Sequence, residues 1–167
     1  IIPDNEGDVV EGYFCSQFPN EGYWTNENSR ILYDLRCWNT SYLGFENSFY
    51  RSDNGGGQFT IAHQFPGTAS DEVLWIEQSW ADPDVFYLQQ VLNGESIFWR
   101  SNDGGQTWAQ VNLPLTGYRY LYFTISEENT DEVWIAYGDG PDGQKVYHTQ
   151  DGGATWHAVY SRRMSNG

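Results

Sequence analysis

The sequence predicts an all-β chain built from about three repeats, each folding as a four-stranded antiparallel sheet. One short motif occurs three times, at Ser52–Phe59, Ser101–Trp108 and Thr149–Trp156, and its copies start 49 and 48 residues apart. Short runs rich in aromatic and β-branched residues flank each copy, and Gly, Asn, Asp and Pro separate these runs. Four short strands in every 40–50 residues or so are typical of one blade of a β-propeller. We therefore predict a segment of that fold.

The predicted strands divide the single segment 1–167 into three blades. In the second and third blades, an apolar run begins 16 residues before the motif, at Val85 and Val133. This shared offset predicts that the motif lies in the hairpin between the third and fourth strands of a blade. The blades are expected at about 9–63, 71–114 and 118–161.

The composition of the motif explains how this hairpin turns. A glycine pair such as Gly104-Gly105 can take positive φ at little steric cost. The acidic residue before it can accept hydrogen bonds from backbone amides, and the closing tryptophan can bury its ring between neighbouring sheets. The first copy has Asn54 for the aspartate and Phe59 for the tryptophan. The motif positions predicted to be structural are Ser52, Asn54, Gly56, Phe59, Ser101, Asp103, Gly105, Trp108, Thr149, Asp151, Gly153 and Trp156.

The motif resembles the Asp-box, also called the BNR repeat, whose pattern is Ser-x-Asp-x-Gly-x-Thr-Trp. The second copy matches it fully, the third has Thr149 for Ser, and the first is partial. Asp-boxes occur in sialidases, family 74 xyloglucanases and sortilin-type receptor domains, and the stretch 81–87 also resembles repeats of the last two. The resemblance covers about residues 9–161. It implies a β-propeller whose boxes lie at the blade periphery, away from any catalytic centre.

Three blades are fewer than the 4–8 or so that a closed propeller usually contains. We therefore expect a fragment or processed product of a longer protein, which also fits the start at Ile1 rather than at Met. The alternatives are that two or more copies close one ring as a homo-oligomer, or that another polypeptide supplies the missing blades. The expected partners are thus other blades of the parent protein or another chain.

The charge and hydropathy of the chain argue against two classes of partner. Eight basic and 23 acidic side chains give a formal net charge of −15, and no Lys/Arg stripe exists to bind phosphates, so we expect no nucleic acid. No apolar run approaches the ~20 residues needed to span a bilayer, so we expect no membrane insertion. The acidity fits the surface of a secreted or cell-surface protein. No cofactor is expected; the alternative is calcium in the acidic loop 139–143, which lacks the ligand spacing of an EF-hand.

Two cysteines, Cys15 and Cys37, lie in strand-like sequence of the first repeat. If these strands are neighbours, the thiols could face each other and form a disulfide, which an extracellular location would favour. The alternative is two buried free thiols that act as small hydrophobic residues. No Cys-x-x-Cys or paired histidine accompanies them, so we predict no metal site there.

No catalytic residue stands out in the sequence. The Phe/Tyr-Arg-Ile-Pro element that begins sialidase domains is absent, and sialidases also need three converging arginines. The resemblance to xyloglucanases implies two separated carboxylates, but nothing singles out any of the candidates Asp34, Glu77 and Asp131. Loops longer than a turn needs tend to carry function. Four aromatic residues in such loops of the first repeat are candidates for contact with a partner or, less favoured, a sugar: Trp24, Trp38, Tyr42 and Phe45.

These observations favour a non-catalytic, extracellular binding or assembly module, a propeller segment of a larger secreted or surface protein that engages protein or glycan. The alternative is a part of a sialidase- or xyloglucanase-like glycoside hydrolase whose cleft is completed by further blades. Flanking blades that carry an arginine triad or paired cleft carboxylates would favour the enzyme.

Overall fold

Three four-stranded antiparallel sheets make up the part of the chain that the structure describes. The structure is a computed structural model and describes residues 30–33, 40–54, 57–68, 71–137 and 144–162. Within these ranges all regular secondary structure is β-strand. None of the described residues forms a helix long and apolar enough to cross a membrane.

Each sheet is a meander in which neighbouring strands are consecutive along the chain. The first sheet consists of β1 (Arg30–Tyr33), β2 (Ser41–Phe45), β3 (Ser48–Ser52) and β4 (Thr60–Gln64). The second consists of β5 (Glu72–Gln78), β6 (Phe86–Leu92), β7 (Glu95–Ser101) and β8 (Ala109–Val111). The third consists of β9 (Leu121–Ile125), β10 (Val133–Tyr137), β11 (Gln144–Thr149) and β12 (His157–Arg162). The predicted all-β fold class is confirmed; the exact blade boundaries stay predictions.

Side chains alternate between the two faces of each strand, and their burial shows how the sheets are stacked. In β10 the residues Val133, Ile135 and Tyr137 are buried, whereas the intervening Trp134 and Ala136 are partly exposed. The second sheet differs, because β6 is buried on both faces from its first residue to its sixth. It therefore lies between the first and third sheets.

Two hydrophobic clusters fill the two spaces between the sheets. The first contains Tyr42, Phe49, Phe65, Val73, Ile76, Phe86 and Leu88. The second contains Val85, Tyr87, Phe98, Val111, Tyr118, Leu121, Phe123, Val133, Ile135 and Tyr137. Rings meet edge to face across both spaces, with centroids 4.9 Å apart for Tyr42 and Phe86 and also for Phe98 and Phe123. Such pairs add to the stabilisation that comes from burying apolar surface.

The first sheet differs from the strands that the sequence predicts. Tyr42 and Phe45, expected in an irregular insertion, both lie in β2, which pairs with β1 and β3. Gly44 makes this strand hard to recognise, yet the packing requires it: a Cβ there would lie 2.4 Å from Cγ1 of Val73. Several predicted positions lie outside the described residues: Cys15, Trp24, Asp34, Cys37, Trp38, Gly56 and the loop 139–143.

Candidate functional site

The hairpin between the third and fourth strands of the second sheet carries one copy of the repeated motif. Oδ1 of Asp103 accepts hydrogen bonds from the Ser101 hydroxyl and from the backbone N–H of Thr107, both at 2.8 Å. Oδ2 accepts a bond from the Thr107 hydroxyl at 2.5 Å. These donors favour the ionised carboxylate, so they lower the pKa of Asp103, with the Thr107 hydroxyl contributing most.

The corresponding turns of the other two sheets have the same geometry. Oδ1 of Asp151 accepts bonds from the Thr149 hydroxyl at 2.7 Å and from the N–H of Thr155 at 2.8 Å. The hydroxyl of Thr155 makes the largest contribution to lowering the pKa of Asp151 to about 2. In the first sheet the amide oxygen of Asn54 accepts from the Ser52 hydroxyl at 2.8 Å and from the N–H of Gln58 at 2.9 Å. A neutral amide thus forms the same turn.

The second glycine of the turn also touches the neighbouring sheet. Gly105 has φ of +82°, and a Cβ there would lie 2.3 Å from Cε1 of Phe49 in the first sheet. Gly153 has φ of +91°, and its Cβ would lie 2.2 Å from Cγ1 of Val111 in the second sheet. Glycine is therefore needed twice over, for the backbone conformation and for the close approach. These turns join one sheet to the sheet before it.

A set of polar contacts joins the second sheet to the third. The guanidinium of Arg100 lies 2.6 Å from Oδ1 of Asp131 and 5.4 Å from the ring centroid of Tyr87. The hydroxyl of Tyr87 donates to the carbonyl oxygen of Thr130 at 3.0 Å. Burial makes the phenolate unfavourable and raises the pKa of Tyr87 to about 12. The roles of Arg100 and Tyr87 are therefore structural.

Two of the three carboxylates considered as catalytic candidates, Glu77 and Asp131, make contacts between sheets. Glu77 accepts a hydrogen bond from Nε1 of Trp75 at 3.0 Å and another from the backbone N–H of Ile125 at 3.3 Å, which links β5 to β9. Asp131 pairs with Arg100. Among the residues that the structure describes, no group of three or more His, Cys, Asp or Glu side chains could hold a metal ion.

The aromatic candidates of the first sheet differ in accessibility. Tyr42 is only 1 % exposed, and its ring stacks on Phe49 with centroids 5.4 Å apart. The expectation that Tyr42 contacts a partner or a sugar is therefore corrected, because its ring is enclosed within the chain. Phe45 is half-buried and lies on the opposite face of β2. Among the residues that the structure describes, the exposed aromatic side chains are ones that the sequence analysis did not single out: Trp80, Tyr120, Tyr122 and Tyr160.

Stacked meander sheets joined through their turns define a segment of a β-propeller. Comparison with proteins of known structure supports this fold. The chain is 29% identical over 126 residues to a xyloglucanase of Hypocrea jecorina, and the aligned region covers 75% of this chain and 14% of that protein. The solved structure of the GH74 enzyme of Niastella koreensis superposes with a TM-score of 0.64 and 18% sequence identity. The superposed region covers 78% of this chain and 22% of the enzyme's chain. No protein-family model matches the chain.

A second kind of propeller protein has a comparable structure. The structure of YCF48 from Cyanidioschyzon merolae superposes over 80% of this chain and 40% of the YCF48 chain, with a TM-score of 0.61 and 18% sequence identity. YCF48 has also been solved bound to a D1 peptide. At these identities the structural likeness shows the fold, so the described chain is a part of a propeller. It spans only about a seventh of the length of the xyloglucanase.

Proposed function

We propose that the chain is a three-blade part of an extracellular β-propeller glycoside hydrolase that acts on a xyloglucan-like polysaccharide. The observation that carries this proposal is the 29% identity to a xyloglucanase over 126 residues. The agreement in fold with a GH74 enzyme supports it. The sequence analysis favoured a non-catalytic module, and the comparisons favour its alternative.

Within such an enzyme, the described residues would serve as scaffold. We assign the three repeated turns as Asp-boxes, because a hydroxyl and backbone amides surround a side-chain oxygen in each of them. Oε2 of Glu77 and Oδ1 of Asp131 are engaged in contacts between sheets, whereas a general acid or base must be free to reach the substrate. The acid and base of the reaction would then lie outside the described residues.

The second candidate function is the non-catalytic binding or assembly module. The likeness to YCF48, a propeller solved with a bound peptide, favours it. In this case the propeller would bind a protein segment or a glycan without cleaving it. The two candidates differ in one measurable property, which is turnover of a polysaccharide.

The test is an assay of the protein encoded by the complete gene. We expect it to release reducing ends from xyloglucan, and to do so much faster than from unbranched cellulose. Glu77→Gln should keep the activity of the folded wild-type protein, whereas removing a true general acid or base should lower kcat by about 10²–10⁴-fold. Binding of xyloglucan without cleavage would favour the second candidate, and loss of activity in a folded Glu77→Gln variant would contradict the scaffold role.

The cysteines of the first repeat provide a test of the proposed location. An extracellular protein favours a disulfide between Cys15 and Cys37, which alkylation under non-reducing conditions followed by mass spectrometry would detect. Two alkylated thiols in protein purified from the culture medium would speak against the pairing.

A further inference from the structure

The turn between β2 and β3 has a glutamate at a position that the backbone makes unfavourable for it. Phe45 pairs with Ser48, so Glu46 and Asn47 form a two-residue turn between the strands. Glu46 has φ of +49°. A positive φ is uncommon for any residue with a Cβ, and tight hairpin turns place Gly, Asn or Asp there because these residues tolerate it best. Glutamate is therefore a poor residue for this turn.

The second sheet has the favoured residues in the corresponding turn. Leu92 pairs with Glu95, so Asn93 and Gly94 join β6 to β7. Their φ angles are +54° and +86°. Asn93 thus takes the place of Glu46 at nearly the same φ, and the repeat does not need a glutamate here to form its hairpin.

The fold uses the backbone of Glu46 but not its carboxylate. The carbonyl oxygen accepts a hydrogen bond from the N–H of Val73 at 2.7 Å, which holds the turn against β5. Within the described part of the chain, the carboxylate of Glu46 has neither a hydrogen bond nor an ion pair. Residues 1–29 contain no Lys or Arg, so that segment cannot supply a salt bridge either. A backbone cost without a structural return indicates that the side chain has a function.

The turn lies at the end of the sheets opposite to the repeated motif. In each meander the second and third strands are joined at this end, whereas the motif joins the third and fourth strands at the other end. β5 begins here with Glu72, next to the Val73 that holds Glu46. The carboxylate of Glu72 lies 4.0 Å from the half-exposed guanidinium of Arg119, in the connection to β9. This end therefore offers both carboxylate oxygens and guanidinium N–H groups to a ligand.

We propose that the carboxylate of Glu46 binds hydroxyl groups of a neutral polysaccharide that lies across this end of the sheets. The inference rests on the proposed function for the class of ligand. A carboxylate can accept two hydrogen bonds at once, which neighbouring hydroxyl groups of a sugar ring can donate, and its charge strengthens them. A chain with a net charge of −15 would repel an acidic polysaccharide, so a neutral one such as xyloglucan fits better. Glu46 holds the substrate and transfers no proton.

The test compares two substitutions in the protein encoded by the complete gene. Glu46→Asn introduces the residue that the second sheet uses, so it should raise the midpoint of thermal unfolding. It should also raise KM for xyloglucan about tenfold or more with little change in kcat, because it removes hydrogen bonds to a charged group. Glu46→Gln keeps the side-chain length and the backbone cost, so it should raise KM and leave the midpoint unchanged. If the protein binds xyloglucan without cleaving it, Kd takes the place of KM.

Two control variants separate the turn from the ligand. Asn93→Glu places a glutamate in the turn of the second sheet, so it should lower the midpoint and leave KM unchanged. Glu128→Asn removes an exposed carboxylate from the connection between β9 and β10, which lies at the motif end. It should change neither the midpoint nor KM.

The remaining outcomes overturn either the role of Glu46 or the function on which it rests. A wild-type protein that neither cleaves nor binds xyloglucan would contradict the proposed function itself. An active wild-type protein with an unchanged KM in both Glu46 variants would contradict only the binding role. A midpoint that does not rise in Glu46→Asn would mean that glutamate costs the turn nothing, which removes the reason to give its side chain a function.

Discussion

Adding one methyl group at Gly105 tests whether the repeated turn is a contact between sheets as well as a turn. An alanine at this position would hold φ near +82° and would place its Cβ 2.3 Å from Cε1 of Phe49. The left-handed conformation costs about 1–2 kcal/mol for a residue with a Cβ. Overpacking against a buried ring costs about 1–3 kcal/mol more. We therefore expect Gly105→Ala to lower the free energy of unfolding by roughly 2–5 kcal/mol.

The neighbouring glycine provides a matched control. Gly104 has φ of +72°, but the nearest atom to its Cβ would be Oδ1 of Asp84 at 3.6 Å, an ordinary contact. Gly104→Ala should therefore cost only the conformational part, about 1–2 kcal/mol. Urea unfolding at one fixed protein concentration would measure both variants, since self-association changes apparent stability.

A double-mutant cycle identifies the partner of the methyl group. Phe49→Leu removes the ring that Gly105→Ala would strike, so the double variant should be more stable than the sum of the two single losses implies. Equal losses for Gly104→Ala and Gly105→Ala, together with additive effects in the cycle, would refute the view that this turn packs on the first sheet.

Three further outcomes follow from the described contacts. The pKa of Asp151 is lowered to about 2, so its contribution to stability should be complete above the unfolded-state pKa near 4 and should be lost as the pH falls towards 2. Asp151→Asn should remove that part of the pH dependence, which thermal melts at several pH values would measure. Arg100→Ala should cost roughly 1–3 kcal/mol in urea unfolding, more than the same change at the more exposed Arg51. Tyr87→Phe should cost about 1 kcal/mol, since it removes the bond to the Thr130 carbonyl; no change in the unfolding midpoint would contradict this.

The sequence predicts the turns well because their stabilising contacts are local. The hydroxyl of Ser101, the carboxylate of Asp103 and the amide of Thr107 lie within seven consecutive residues, so the motif itself specifies the hydrogen bonds. A glycine pair in such a motif then indicates the positive φ that the turn requires. The shared offset from the apolar run to the motif similarly predicts β6 and β10.

The packing of the first sheet could not be predicted in this way, because it depends on contacts between distant residues. Tyr42 is enclosed by Phe86, 44 positions further along the chain, and the sequence around Tyr42 carries no sign of that neighbour. Gly44 weakens the strand pattern in the sequence, but glycine is needed there because Val73 of the second sheet lies too close to allow a side chain. The role inferred from loop length is therefore wrong for Tyr42, and for Phe45, which is half-buried on the other face of β2, it stays a prediction.

Residues that recur in all three repeats differ from those that do not in how much of their polar surface is left for a ligand. Repeated polar residues such as Asp103 and Asp151 have their oxygens engaged within their own turns, so they stabilise the fold and have little left to offer a ligand. The residue just before the motif is not the same in each repeat: it is Arg100 in the second sheet and His148 in the third. The ring of His148 stacks on Trp134 with centroids 4.6 Å apart, and its Nε2 lies 2.9 Å from Glu132. The arginine reaches across to the next sheet, whereas the histidine is held within its own. The turn therefore repeats in all three sheets, whereas the contact made by the residue before it changes from sheet to sheet.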